Sequence, residues 1–266
     1  QQQRLKPPTN SPTIWGSHMT CPKDPPTATR IYSINANGVG TIRKDHMSAY
    51  DKGSIAEIQQ QMLAHEIDIL GMSETNLHWP MNNTFNDIHK QLNRGSRGTM
   101  LITSCSPVLP NPSSVYQPGG TAVILNAQLA ARTTHRYSDT LGRWSGTLMQ
   151  GRGGRKLLLL QIYQVAQHSQ GGEWTAFAQQ RSILRRQSRR DTPREAFSND
   201  LAMLLRKTTE AHPSVAILLM GDANDDVLRP NSKLGKLMDS YNLFDVHRYT
   251  HFPESPPETY LRGSRQ

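Results

Sequence analysis

The run VAILLMGDANDD at 215–226 carries six apolar residues into one glycine, and then oxygen-bearing side chains at Asp222, Asn224, Asp225 and Asp226. Three other apolar runs end in the same way: RIYSI leads into Asn35 and Asn37, DILGMS into Glu74, and LLLLQI into Tyr163. Carboxylates, amides and phenols are hard oxygen donors, and no thiolate is among them. Such a set suits Mg²⁺ or Mn²⁺, which take a few protein oxygens and complete their shells with water and substrate phosphate. If the four runs are strands of packed sheets, residues just past their ends crowd one rim, where loops present polar groups to a ligand. Turn chemistry is the alternative for any one run, because Asp and Asn bond their own backbone and routinely end strands. Four runs making one transition together favour a shared metal and phosphate site. Asp222, Asn224 and Asp226 also have EF-hand spacing, but Val227 stands where that loop needs Gly and Lys233 where it needs a bidentate Glu.

The elements that must position these groups can be read from periodicity and punctuation. RIYSINANG predicts a short strand closed by the Asn37-Gly38 turn, and IDILGMSET a buried strand ending at Ser73-Glu74-Thr75. Ile55, Ile58, Met62 and Leu63 share one face of a predicted helix, with Ser54 as its cap. GGTAVILN predicts a strand entered from a glycine pair, and RWSGTLMQ and RKLLLLQIYQV form a hairpin around GRGG. Thr192, Pro193 and Glu195 make a capping box that opens a helix with Phe197, Leu201, Leu204 and Thr208 as its inner stripe. Just before it lie six arginines between 179 and 194. Of these, Arg185, Arg186, Arg189 and Arg190 are candidate phosphate contacts, the alternative being a solvated helix face. Trp144 and Trp174 are expected in core or rim packing. Residues 1–29, rich in Pro, Thr, Ser and Gln, read as a disordered leader with few contacts, and 30–266 as one domain.

The 266 residues suit one sizeable α/β domain, and a net charge of +9 favours a polyanionic partner such as nucleic acid. Two cysteines, Cys21 and Cys105, argue against a disulfide framework and suit a reducing compartment. No apolar run approaches membrane-spanning length and no signal-peptide pattern opens the chain, so an intracellular protein with no membrane partner is expected.

Taken in order, N-x-N-G at 35–38, S-E-T at 73–75, a hairpin with Gly142-Arg143, and G-D-x-N at 221–224 resemble the endonuclease/exonuclease/phosphatase superfamily. That family includes abasic-site endonucleases, DNase I-like nucleases and the endonuclease domains of non-LTR retrotransposons, and the resemblance covers about 30–266. It implies an α/β fold: a four-layer sandwich of two packed mixed β-sheets flanked by helices. It also implies that Glu74 binds Mg²⁺ or Mn²⁺ with Asn35 and Asn37 beside it, and that Asp222 orients or deprotonates the attacking water. Asn224 would hold the scissile phosphate and Tyr163 would donate a hydrogen bond to it. Two departures stand out. Tyr163-Gln164-Val165-Ala166 replaces the family's frequent Tyr-x-Pro-Asn, and the sequence reaches Gln266 before the family's late Asp and Ser-Asp-His. The resemblance therefore implies a domain incomplete at its C-terminus, with its last strands missing and the chain as given catalytically inactive. His247 and His251 lie in no such context and are expected to be structural or surface residues. YQPGGTAVI, LGRW and the basic insert resemble retroelement endonucleases more than sugar or lipid phosphatases, and that resemblance implies DNA nicking and a nuclear location. The alternatives are a non-catalytic nucleic-acid-binding remnant, or an inositol-phosphate or sphingomyelin-type phosphodiesterase, which would not call for a basic insert.

Overall fold

A computed structural model describes residues 23, 28–39, 55–108, 116–166 and 172–246. Alternation along β2 (Ile69–Ser73) shows how the layers arise: Ile69 points into one apolar cluster and Leu70 and Met72 into another. With β1 (Ile31–Asn35), β3 (Met100–Ser104) and β4 (Thr121–Leu125), it forms a sheet in the order β1-β2-β4-β3. A second sheet runs β5-β6-β7-β8, from Thr133–Ser138, Trp144–Gln150, Lys156–Tyr163 and Ala216–Asp222. β1 with β2 and β7 with β8 are parallel pairs, whereas β2–β4, β3–β4, β5–β6 and β6–β7 are antiparallel, so both sheets are mixed.

Between the sheets lie Ile69, Ile102, Val123, Leu125, Met149 and Leu159. On the outer face of the first sheet, α1 (Ile55–Ala64) and α2 (Thr84–Gly95) contribute Ile55, Ile88 and Leu92. A one-turn α3 (Ala127–Ala130) follows β4, capped by the Asn126 side chain. On the outer face of the second sheet, Phe197, Leu201 and Leu205 of α5 (Pro193–Ala211) pack with Leu234 and Leu237 of α6 (Lys233–Ser240). Leu184 of α4 (Ala176–Arg186) joins Ala196 of α5 in a smaller cluster. This is the four-layer α/β sandwich that the resemblance implied. No described helix is long and apolar enough to cross a membrane.

The inner faces change character along the strands. Ile31 gives way to Ser33 and Asn35, Ile69 to Gly71 and Ser73, Leu159 to Gln161 and Tyr163, and Leu218 and Met220 to Asp222. The C-terminal ends of both parallel pairs meet at one end of the sandwich, so the polar ends share a rim.

Several local expectations shift. Leu63 is 57% exposed, because it lies eight residues past Ile55, roughly 80° round the helix from the Ile55–Ile58–Met62 stripe. The α5 stripe advances by fours from Phe197 and Leu201 to Leu205, which leaves Leu204 half-buried at its margin. The 216–222 strand is only half-buried, since β8 ends its sheet among the described residues. Within the expected leader, Lys23 is tied down: its Nζ lies 2.7 Å from Asp68 Oδ2. The PPETYLRGSRQ segment, after which the missing strands are expected, and Ser54 as a cap lie outside the described residues.

Gly71 is required by the close approach of the sheets. A Cβ there would overlap Gln161 Oε1 and lie 2.7 Å from Met220 Cε. Gly71→Ala is expected to cost about 1–3 kcal/mol of stability by overpacking. The measurement is a urea unfolding curve with a lower midpoint and an unchanged slope. An unchanged midpoint would show that Gln161 can move aside without loss.

Candidate active site

Four strands are stitched together near their ends by two hydroxyls and one amide. Ser73 Oγ, fully buried at the end of β2, donates to the Ile162 carbonyl of β7 at 2.8 Å. It accepts from Gln161 Nε2 at 2.8 Å and from the Asp222 backbone N–H at 3.3 Å. That uses the hydroxyl's one proton and both lone pairs. Gln161 Oε1 accepts in turn from Ser33 Oγ of β1 at 3.0 Å. The network fixes how β1 and β2 sit over β7 and β8, and hence where the residues just past their ends lie.

Those residues meet. Asn35 Nδ2 donates to Asp222 Oδ2 at 2.9 Å across the cleft, and the Asn35 side chain also hydrogen-bonds Glu74. Tyr163 hydrogen-bonds Glu74 from β7. Asn35 Oδ1 accepts from the Asn37 N–H and Asp222 Oδ1 from the Asn224 N–H, each at 3.0 Å. Both are Asx turns, so the turn chemistry weighed from the sequence is present, and it leaves the other atom of each side chain facing the cleft. Asn37, Glu74 and Asn224 have φ of 42°, 51° and 44°, in the left-handed region that Asn tolerates better than Glu. The N-x-N-G and S-E-T segments also run side by side: the N–H groups of Ala36, Gly38 and Val39 donate to the carbonyls of Ser73, Glu74 and Thr75. Asn37 itself is exposed, and Asn224 Nδ2 donates to the Gln164 carbonyl at 2.9 Å.

The electrostatics of the pair are one-sided. Burial raises the Glu74 pKa, the Asn35 hydrogen bond opposes that rise, and the neighbouring Asp222 charge adds to it. The Tyr163 phenol is driven far above its ordinary range by burial and by the Glu74 charge, so it stays protonated and acts as a donor. No basic side chain is among the groups that shift Glu74. Among the described residues no cluster of three His, Cys, Asp or Glu side chains is present. A cation here would rest on two carboxylates, amide oxygens, water and substrate oxygens, which is how Mg²⁺ is commonly held. The donor set fits a hard divalent cation.

Arg194, which sequence reasoning did not nominate, braces the rim from α5. Its Nη1 donates to the carbonyls of Val165 and Asn224 at 2.9 Å each, and its Nη2 lies 3.3 Å from Asp225 Oδ1. The loops that follow β7 and β8 are thereby joined. Gly221 is needed where it stands: with φ 129°, a Cβ would overlap the Ile162 carbonyl oxygen. Gly142-Arg143 does close the β5–β6 hairpin, and the buried Arg143 makes two bonds to Asp139, Nε–Oδ2 at 2.8 Å and Nη2–Oδ1 at 2.9 Å. Its carbonyl accepts from the Tyr163 N–H at 2.7 Å.

The four nominated arginines separate. Arg189 pairs with Asp191 at 2.9 Å and Asp200 at 2.8 Å, so its charge is already compensated. Arg185, Arg186 and Arg190 are exposed. Trp144 is buried in the second-sheet core as expected, whereas Trp174 is 61% exposed. His247 and His251 lie outside the described residues.

No family model and no curated protein matches the sequence. Among solved structures, the chain is similar to the human Nocturnin catalytic domain with bound sulfate, at 18% identity and TM-score 0.45, over 75% of this chain and 67% of that one. It is similar to a Bacteroides thetaiotaomicron mannosyl-6-phosphatase at 13% identity and TM-score 0.44, over 80% and 71% of the two chains. An endonuclease/exonuclease/phosphatase family protein from the same organism gives 12% and 0.42, over 76% and 66%. At these identities and TM-scores the likeness bears no functional argument.

The raised Glu74 pKa has a consequence for stability. The folded chain binds this proton more tightly than the unfolded chain does, so ionising Glu74 costs stability. The cost is fully present above the raised folded pKa and absent below the ordinary carboxylate value. Glu74→Gln keeps an acceptor for Tyr163 and is expected to raise the melting temperature at neutral pH in metal-free buffer. The gain should shrink as pH falls through the folded pKa; a pH-independent difference would contradict the assigned cause.

Proposed function

We propose that this cleft hydrolyses phosphodiesters with a bound Mg²⁺ or Mn²⁺, acting on DNA as the nicking endonuclease of a retroelement. The observation that carries the reading is the Glu74–Asp222 carboxylate pair, held together by Asn35 without a basic partner among the groups that shift Glu74. Holding two carboxylates together costs energy unless a cation or proton offsets it. A divalent cation on Glu74, with Asn37 beside it, would neutralise the phosphate and stabilise the leaving oxygen.

The chain's own groups have separable tasks. Asp222 is half-exposed, with Oδ2 in the cleft, and can orient a water and accept its proton. Tyr163 is a protonated donor whose one O–H, given to Glu74 here, can turn to a phosphate oxygen when a cation takes Glu74. Asn224 gives one amide hydrogen to Gln164 and retains the other for a phosphate. The exposed Arg185, Arg186 and Arg190, together with the net charge of +9, favour a polyanionic substrate over an inositol phosphate or a lipid headgroup.

The test is conversion of supercoiled plasmid to nicked circle in Mg²⁺, run on this chain and on one extended through its natural downstream codons, with the variants made in whichever of the two nicks. Asp222→Asn keeps the Oδ1 that closes the turn, so folding should survive, while nicking falls by roughly two to four powers of ten. Glu74→Gln should shift the Mg²⁺ dependence to higher concentration and reduce the rise in melting temperature that Mg²⁺ gives the parent chain. Near-parental nicking by Asp222→Asn, or an unchanged Mg²⁺ response in Glu74→Gln, would overturn the reading.

A further inference from the structure

The helix beside the cleft carries an aromatic and three arginines in no ion pair among the described residues. Trp174, Phe177, Arg181, Ser182, Arg185 and Arg186 line a cavity of about 860 Å³ along the outside of α4, and no carboxylate is among its described lining residues. Arg181 and Arg185 are four residues apart on one helical face, and Arg186 Nη2 donates to Ser182 Oγ at 3.4 Å. Arg143, Arg189 and Arg194 each face a carboxylate, whereas Arg181, Arg185 and Arg186 form no ion pair among the described residues. The first turn of α4 lies near the cleft. A Cβ on Gly119 would lie 3.1 Å from the Tyr163 ring and 3.2 Å from Ala176 Cβ, so the first residue of α4 stands just across Gly119 from Tyr163. Trp174 is two residues before Ala176, within about 7 Å along the chain. Arg185 is nine residues after it, about 13 Å down the helix.

We propose that Trp174 and the outer face of α4 form a track for single-stranded nucleic acid leading away from the carboxylate cleft. Trp174 stacks on a base next to the scissile position, and Arg181, Arg185 and Arg186 meet the phosphates that follow. The choice of single strand follows from the indole: a 61% exposed ring offers a π-face to an unpaired base, whereas duplex bases are already stacked on one another. Charge complementarity selects a polyanion over an apolar peptide for a cavity lined by three cations. The inference rests on the nucleic-acid reading above and adds that, when duplex is nicked, the strand leading from the scissile position is held unpaired along α4.

Fluorescence anisotropy on the full chain tests it, using a labelled oligothymidylate and a duplex of equal length. Trp174→Ala should weaken oligothymidylate binding roughly 10- to 100-fold, with Trp174→Phe retaining most of the affinity. Arg185→Ala with Arg186→Ala should flatten the salt dependence of binding. Parental affinity in Trp174→Ala, or an equal loss on duplex, overturns the track. Hydrolysis of bis(p-nitrophenyl) phosphate, too small to reach α4, reports separately on the cleft through its dependence on Asp222. Trp174-dependent binding without that hydrolysis sinks the catalytic reading alone; Asp222-dependent hydrolysis without a Trp174 effect sinks the track alone.

Discussion

The bond from Ser73 Oγ to the Ile162 carbonyl, with Gln161 and the Asp222 N–H returning to the same oxygen, is the constraint on which the cleft depends. Two sheets held only by apolar side chains can slide by fractions of an ångström at little cost, because dispersion is non-directional. A hydroxyl with every bonding position filled cannot slide without leaving a buried polar atom unpaired, which costs about 1–3 kcal/mol. Gly71 belongs to the same device: its missing side chain is the space that Gln161 occupies. The carboxylate pair lies directly beyond this point, so its geometry is inherited from the core rather than from flexible loops.

The arginines show how one residue type serves opposite ends. Arg143 is buried against Asp139 and Asp200, and with Arg189 on the same Asp200 it locks α5 to the β5–β6 hairpin. Breaking such a pair from one side strands a buried charge. Arg194 is spent largely on backbone carbonyls, and burial pushes its pKa down while Asp225 opposes this. The cations left over face solvent on α4. A net charge alone could not have separated these groups, since the division depends on which carboxylates the fold brings near.

Much of the cleft was legible in the sequence because strand ends are local events. Asn35, Glu74, Tyr163 and Asp222 each follow an apolar run, and the rim that gathers them needs only that the runs be parallel in pairs. The Thr192–Glu195 capping box, with both reciprocal bonds present, was equally local. What escaped was set at a distance. Gln161 reads as an interruption in LLLLQIY until Ser33 and Ser73 arrive from the other sheet. Arg194 is one of six arginines until the loops after β7 and β8 close on it. β3 and β5 were not anticipated, β3 being five residues long and β5 mostly exposed. In α2 only Thr84, Ile88 and Leu92 are buried, too sparse a stripe to announce a helix.

The graded polarity of the inner faces bears on how the chain finds its pairing. In an ordinary two-faced sheet a one-residue slip turns every side chain over and is strongly rejected, but a two-residue slip keeps apolar residues inside and is barely noticed. Here Ile69, Gly71 and Ser73 differ in kind, as do Leu159, Gln161 and Tyr163, so within these two runs no two successive inward positions are interchangeable. Slipping β7 by two would set Gln161 where a leucine belongs, without Ser33 or Ser73 to receive it. The residues that gather the carboxylates thus also proofread the alignment of the strands, and a chain that pairs in the wrong register is penalised before any ligand is present.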